Sequence, residues 1–158
     1  MPLLVAHSHS HDDHTAGDSQ FKGMKDTEII KVKDTEALIS SFSFKDWPTY
    51  NSKIDLGKRL VHLIPSPGHQ AQAITFYDQQ SKLLFTGDSL YPGRLYIRQW
   101  QDYKDSIKRI VKFTQTHSVI AILGAHIEMS TSSNIDYPVG STYHPNEASL
   151  VLSVEDLN

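Results

Sequence analysis

Six potential metal ligands lie within eight residues near the start of the chain: His7, His9, His11, Asp12, Asp13 and His14. Imidazole and carboxylate groups bind zinc, iron and manganese without the help of cysteine. The apolar run before them, residues 2–6, indicates a short buried strand. Residues two apart on a strand share a face, so His9 and His11 can point at one object together. The pattern predicts a metal-binding loop that leaves the strand and turns at Gly17.

Three further candidate ligands occur far along the chain, in Pro67-Gly68-His69, Thr86-Gly87-Asp88 and Gly124-Ala125-His126. Each follows an apolar segment and has a glycine one or two residues before it. An affinity tag or a solvated histidine tract would explain the first cluster, but it would have no such distant partners. For Asp88 alone, a turn or capping aspartate is a common alternative. The repeated arrangement favours one metal site assembled from four parts of the chain.

The ligand set contains histidine and aspartate but no cysteine. The spacing His-x-His-x-Asp-His selects His9, His11, His14 and either Asp12 or Asp13 from the loop. With His69, Asp88 and His126 these make seven candidates, which is too many for one tetrahedral ion and suits two. Structural zinc sites usually contain cysteine ligands, whereas catalytic zinc sites keep one coordination position open for water. A water shared by two cations loses a proton near neutral pH and can attack a carbonyl or phosphoryl centre. A dinuclear hydrolytic centre is therefore predicted.

The sequence resembles the metallo-β-lactamase-fold hydrolase superfamily. The resemblance rests on four motifs in the family's order: His9-Ser10-His11-Asp12-Asp13-His14, His69, Phe85-Thr86-Gly87-Asp88 and His126. It implies that Asp13 is the loop carboxylate, because only that register places the three loop histidines in the family pattern. Asp12 is then the variable residue and is not a ligand.

The resemblance also implies how the ligands are shared and what the ions are. The first ion is expected on His9, His11 and His69, and the second on Asp13, His14 and His126. Asp88 is expected to bridge them, so that Asp13 and Asp88 are the carboxylates of the catalytic centre. Zinc is the default for such ligands, with iron or manganese as alternatives. Flavodiiron relatives usually carry Glu at the second histidine, so His11 argues against that branch.

The fold implied by the resemblance is α+β, an αββα sandwich of two mixed sheets flanked by helices, with residues 1–158 as a single, partial domain. Several strands normally precede the ligand loop, which here begins at His9, so the leading strands of the first sheet are expected to be missing. The strand over residues 3–5 then has an open edge and an uncovered apolar face, which invite pairing. A missing upstream segment or a homodimer is predicted to provide the cover.

The elements that position the ligands are predicted from apolar patterns. Strands over residues 60–64, 83–85 and 119–123 deliver His69, Asp88 and His126. Further strands are predicted over residues 28–32, 54–56, 73–77 and 150–152. A short helix is expected over residues 15–24. Asp34 is predicted to cap a helix over residues 35–42, and a longer amphipathic helix covers residues 100–117. His62 lies within a strand and is predicted to be structural.

The segment after Asp88 is predicted to form a wall beside the metals, where Tyr91, Arg94 and Tyr96 could orient a substrate. Arg94 suits a carboxylate or phosphate, although an ordinary surface ion pair explains it equally well. The predicted substrate is a small ester, thioester, lactone or β-lactam-like molecule. The alternatives are a metal-binding module without activity and a phosphodiesterase that uses the same site.

Composition narrows the partners of this 158-residue chain. The net charge is −3, and the basic residues between Lys104 and Lys112 are spread along a helix, so nucleic acid is not expected as a stable partner. No run approaches the ~20 apolar residues of a membrane span. No signal peptide is recognised, so a cytoplasmic location is the default expectation.

Overall fold

Eight strands and three α-helices form within residues 2–157, which the computed structural model describes. The strands are β1 (Leu3–Val5), β2 (Thr27–Ile29), β3 (Ser52–Asp55), β4 (Leu60–Pro65), β5 (Ile74–Asp78), β6 (Leu83–Gly87), β7 (Ala121–Gly124) and β8 (Val151–Leu152). The α-helices are α1 (Asp12–Thr15), α2 (Thr35–Phe42) and α3 (Trp100–Thr114), and 3₁₀ helices cover Ala16–Gln20 and Val154–Leu157.

These strands form two sheets. β1 and β2 make a two-stranded parallel sheet in which Leu3 lies opposite Thr27. The larger sheet has the order β3-β4-β5-β6-β7-β8. Strands β6 and β7 are parallel, and all other neighbouring strands in this sheet are antiparallel. The long connection between β6 and β7 contains α3, as a parallel crossover requires. The predicted α+β sandwich is confirmed, and the smaller sheet has only these two strands within residues 2–157.

Successive side chains along the strands of the larger sheet pack into two separate hydrophobic cores. Leu63 of β4 packs in the cluster that contains α2 and β1, whereas the next residue, Ile64, packs with Ile110 of α3. Leu63, Ile64 and Ile110 are fully buried. Burial stabilises such side chains by roughly 1.5–3 kcal/mol each. The two cores fix the strand ends from which the candidate ligands project.

The helix boundaries agree with the sequence at α2 and differ elsewhere. The Asp34 carboxylate accepts a hydrogen bond from the Ala37 amide at 2.8 Å and caps α2 as predicted. The helix expected over residues 15–24 is instead α1 over Asp12–Thr15, followed by a 3₁₀ helix over Ala16–Gln20. The two aspartates of its first turn favour the earlier start. α3 ends at Thr114 rather than at residue 117, because the carbonyl of Phe113 accepts the amides of both Thr116 and His117. Within residues 2–157 no helix has the length and apolar content needed to cross a bilayer.

The two-stranded sheet leaves part of the larger sheet uncovered. An apolar groove of about 260 Å³ is lined by Leu4, Ala6, Ile54, Leu56, Val61, Phe76 and Phe85. Leu56 is 55% exposed and Phe85 is 40% exposed. Phe85 belongs to a central strand, where a large aromatic side chain is normally covered. The open side of β1 therefore borders exposed apolar surface, as the sequence predicted.

His62 is a buried part of the second core. Its Nε2 lies 3.1 Å from the Gln79 side-chain oxygen, and its ring contacts Tyr77, Phe113 and His117 edge-on. Burial lowers its pKa from 6.5, and His117 and Lys53 lower it further against the opposing effect of Gln79. The folded protein therefore keeps His62 neutral at a pH where the unfolded chain begins to protonate.

We expect the folded state to lose stability through His62 as the pH falls. A lowered folded pKa gives stability that is present above the unfolded value and is lost as the pH falls toward the folded value. In His62→Gln, which removes the titration, the free energy of unfolding should fall less between pH 7 and pH 5 than in the wild type. Urea denaturation of both proteins in the presence of a chelator measures this. Parallel pH profiles would contradict the expectation.

Candidate metal centre

Three imidazoles converge on one point at the edge of the larger sheet. The Nδ1 of His11 lies 3.0 Å from the Nε2 of His9 and 3.0 Å from the Nε2 of His69. Ligands of a tetrahedral ion at 2.0–2.1 Å are separated by about 3.3 Å. The three nitrogens therefore have the spacing of three ligands of one ion, with His11 using Nδ1 and the others Nε2.

A second group lies beside the first and contains Asp13, His14, Asp88 and His126. One ligand atom from each of these residues lies within 4.8 Å of all the others. Asp13 Oδ2 is 3.4 Å from the Nε2 atoms of both His14 and His126. Asp13 stands at the open side of the group, because its side chain is 57% exposed. The group could hold a second ion.

The buried carboxylate of Asp88 lies between the two groups and divides its oxygens between them. Oδ2 is 3.3 Å from the Nε2 of His69 and 3.9 Å from that of His9. Oδ1 is 3.1 Å from the Nε2 of His14 and 3.3 Å from that of His126. One oxygen thus faces each group, as a bridging ligand requires.

The buried atoms in this centre fit a cation. His14 Nε2 and Asp88 Oδ1 are both buried and lie 3.1 Å apart, but neither makes a hydrogen bond of acceptable geometry within residues 2–157. Burial, together with the neighbouring His14 and His11, lowers the pKa of His9 to about 3. Its imidazole is therefore neutral and can offer a lone pair. A buried polar atom without a partner is costly, and a bound metal ion would satisfy both atoms.

Local structure holds the ligands in these positions. The carbonyl of Ser8 accepts the Ile74 amide at 2.7 Å, which ties the end of the β1 segment to β5. The Nδ1–H of His69 donates to the carbonyl of Tyr96 at 2.7 Å, which leaves Nε2 free for a metal. Such hydrogen bonds orient ligand imidazoles and fix their tautomer.

Gly68 explains why a glycine stands before a ligand. Its φ is +143°, a conformation that other residues rarely adopt, and a Cβ there would lie 2.6 Å from the Cα of Tyr103. The loop that carries His69 can therefore approach α3 only with glycine at this position. A side chain is also excluded at Gly124 by close packing, since a Cβ there would lie 2.5 Å from the carbonyl oxygen of Leu90.

The structure brings together all seven residues that the sequence proposed, and it leaves two neighbours outside. Asp12 is exposed at the start of α1 and belongs to neither group. His7 points away from both and pairs with Asp18, with Nε2 and Oδ1 2.8 Å apart. Neither this pair nor Ser8 is predicted from the sequence, although a hydroxyl directly before His9 is a signal for a role of Ser8.

A cavity of about 340 Å³ is lined by residues that neighbour the candidate ligands, although none of the seven ligands lines it. Its lining includes Arg94, Tyr96, Ile127, Glu128, Asp136 and Tyr137. Two of these residues are next to candidate ligands. The carbonyl of Tyr96 accepts a hydrogen bond from His69, and Ile127 directly follows His126 in the chain. The Nε of Arg94 donates to Asp136 Oδ2 at 2.7 Å.

Tyr91, the third residue proposed for the substrate, is buried beneath this cavity. Its ring lies 5.3 Å from that of His126, and its hydroxyl donates to the carbonyl of Arg94. Burial raises its pKa, and the nearby carboxylates of Glu128 and Asp88 add to that effect. Tyr91 therefore stays protonated and supports the cavity from below.

Comparison with known proteins identifies the family. The model of the metallo-beta-lactamase superfamily matches residues 2–115. The chain belongs to this superfamily. Among solved structures, it is similar to a metallo-beta-lactamase from Pontibacter korlensis, with a TM-score of 0.57 and 18% identity over 80% of this chain and 61% of that one. It is also similar to a protein described as a peroxy diiron species of chemotaxis sensor ODP, with a TM-score of 0.54 and 17% identity over 78% of this chain and 62% of that one.

Curated relatives include an acyl-coenzyme A thioesterase and a hydroxyacylglutathione hydrolase. The chain is 29% identical to acyl-coenzyme A thioesterase MBLAC2 of Gallus gallus, over 90% of this chain and 62% of the relative. The human protein of that name is 25% identical, over 79% of this chain and 56% of the relative. A hydroxyacylglutathione hydrolase of Brucella anthropi is 32% identical over 56% of this chain and 35% of that protein. The chain thus spans little more than half the length of the first two.

Proposed function

We propose that this chain is a metal-dependent hydrolase that binds two divalent ions and cleaves a small thioester or ester. The observation that carries the proposal is the position of Asp88, whose two oxygens face two separate groups of ligands. The relatives named as thioesterase and hydroxyacylglutathione hydrolase support the thioester class. Lactones and β-lactam-like molecules share the same reacting carbonyl.

The two groups of candidate ligands would hold two divalent ions, which would lower the pKa of a bound water toward neutral and polarise the carbonyl oxygen of a substrate. The protein's own residues prepare the site for this chemistry. Neutral His9 and the tautomer of His69 leave nitrogen lone pairs directed at the centre. Burial alone would raise the pKa of Asp13, but a backbone hydrogen bond and His14 lower it. Asp13 is therefore an ionised carboxylate at the open side, where it can orient the attacking water.

The cavity beside the centre is proposed to hold the substrate. Tyr96 contributes an exposed ring at its wall, and the pair of Arg94 and Asp136 fixes one guanidinium there. Arg94→Met should raise KM several-fold and leave kcat and metal content nearly unchanged, because the guanidinium pairs with Asp136 and Arg94 is not a candidate ligand. A fall in kcat with an unchanged KM would contradict a substrate-binding role.

Zinc is the proposed metal, because histidine and aspartate ligands suit it. Iron is the main alternative, since one structural neighbour is described as a diiron species. Elemental analysis of the protein after purification and dialysis should find about two divalent ions per chain. One ion or fewer in the presence of excess zinc would contradict the dinuclear assignment.

Activity assays separate this function from its alternatives. Zinc-loaded and chelator-treated protein should be compared on a chromogenic thioester, an ester, a cephalosporin and a phosphodiester. Metal-dependent turnover of the thioester or ester supports the proposal. Turnover of the phosphodiester alone indicates a phosphodiesterase. Two ions without turnover on any substrate indicates a metal-binding module that lacks catalysis.

We also propose that the chain self-associates through the apolar groove beside β1. Leu56 and Phe85 expose large apolar surface there, and the open edge of β1 can pair with a second copy. The weight-average mass measured by light scattering should approach that of a dimer and fall on dilution. Phe85→Lys should shift the protein toward monomer. A monodisperse wild-type monomer that melts cooperatively at every concentration would contradict this proposal.

A further inference from the structure

Ser8 lies against two ligand imidazoles that belong to different metal groups. Its hydroxyl oxygen is 3.1 Å from the Nδ1 of His9 and 3.5 Å from the Nδ1 of His14. The two rings are themselves in contact, with centroids 4.0 Å apart. Their other nitrogens, the Nε2 atoms, face the carboxylate of Asp88. The pair of rings is therefore held between Ser8 on one edge and Asp88 on the other.

The chemistry of imidazole decides the direction of these hydrogen bonds. A neutral imidazole that offers Nε2 to a metal carries its proton on Nδ1. Both His9 and His14 then present an N–H to Ser8, and a hydroxyl oxygen has two lone pairs with which to accept them. One serine can thus fix the tautomer of a ligand in each group at the same time.

The backbone around Ser8 is built to keep it in place. Its carbonyl oxygen accepts the amide of Ile74 at 2.7 Å. Its Cβ and hydroxyl lie so close to Gly87 that a Cβ on that glycine would be 2.6 Å from each. Ser8 is therefore confined between β5, the end of β6 and the two imidazoles.

We infer that Ser8 is a positioning residue that couples the two metal sites by accepting a hydrogen bond from one ligand of each. This inference rests on the proposed function, because it requires two bound ions. Loss of an interaction that orients a metal ligand typically weakens metal binding 10–100-fold. Ser8→Ala should therefore weaken the binding of both ions by about that factor.

Ser10 provides a matched control in the same loop. It lies between His9 and His11, but its hydroxyl accepts the side-chain amide of Gln70 at 2.9 Å. Zinc affinities of the wild type, Ser8→Ala and Ser10→Ala should be measured by competition with a chromogenic chelator. Only Ser8→Ala should lose affinity at both sites. NMR of the zinc-loaded proteins should also show two imidazole Nδ1–H resonances that shift in Ser8→Ala and are unchanged in Ser10→Ala.

The inference is overturned if Ser8→Ala binds both ions as tightly as the wild type, or if it weakens the binding of only one of them. It is also overturned if the metal-free form of Ser8→Ala melts at a much lower temperature than that of Ser10→Ala, which would assign Ser8 to packing. A wild-type protein that binds fewer than two ions would overturn the proposed function as well as this inference. That result is distinguishable from the others because it is seen before any substitution is made.

Discussion

Asp88→Ala is expected to release both metal ions. Its two oxygens face different groups of ligands, and both groups lose a negative charge when the carboxylate is removed. Loss of an orienting neighbour already weakens metal binding 10–100-fold, so loss of a shared ligand should cost roughly 100-fold or more at each site. Isothermal titration of the metal-free proteins with zinc measures both affinities.

Two other substitutions make this prediction specific. His69→Ala removes a ligand of the first group only, so the second ion should be retained. Asp12→Ala removes an exposed carboxylate from the ligand loop and should leave both affinities unchanged. Full metal loading of Asp88→Ala would rule out the bridging role, and a large loss in Asp12→Ala would mean that Asp12 is the loop ligand. Asp88→Asn, which preserves the side-chain shape, tests the charge alone.

Gly87→Ala is expected to damage both the fold and the centre. Gly87 has a φ of +54°, and an added Cβ would collide with the Cβ and hydroxyl of Ser8 at 2.6 Å. The strained backbone should cost about 1–3 kcal/mol, and the collision should displace Ser8 or Asp88 in addition. For a domain of this size, 1 kcal/mol lowers the melting temperature by roughly 2–4 °C. The variant should melt several degrees lower without metal and should also bind zinc more weakly.

Gly57→Ala separates the two effects. Gly57 has a φ of +94°, but a Cβ there would meet no atom within 4 Å. This variant therefore carries the backbone strain without the collision, and it should lose some stability while keeping its zinc affinity. Equal zinc affinities in Gly87→Ala and Gly57→Ala would show that the space beside Ser8 is less restricted than the structure indicates.

The candidate ligands that lie far along the chain could be found from the sequence, because each follows an apolar strand and has a simple local signature. His69 and Asp88 each follow a buried strand and directly follow a glycine, and the structure shows that the glycine at residue 68 permits close packing against α3. The capped helix α2 was predicted over its full length for a similar reason, since Asp34 provides its cap locally.

Features that depend on distant contacts were not predicted. The pairing of His7 with Asp18 depends on how the 3₁₀ helix folds back on β1, and nothing in the spacing of the histidines shows it. The cavity likewise depends on residues 127–144, which form no regular strand or helix. Arg94 and Asp136 are 42 positions apart in the chain. Sequence patterns do not predict which side chains meet over such a separation.

The separation of the ligands along the chain has a consequence for unfolding. His11 and His69 are 58 positions apart, and one ion on both of them would act as a cross-link that closes this long loop. An ion that binds only the folded protein raises its stability by RT ln(1 + [L]/Kd). The melting temperature of this chain should therefore rise with the free metal concentration. A chain whose metal site is empty should therefore unfold, and be cut by proteases, more readily than one whose site is filled.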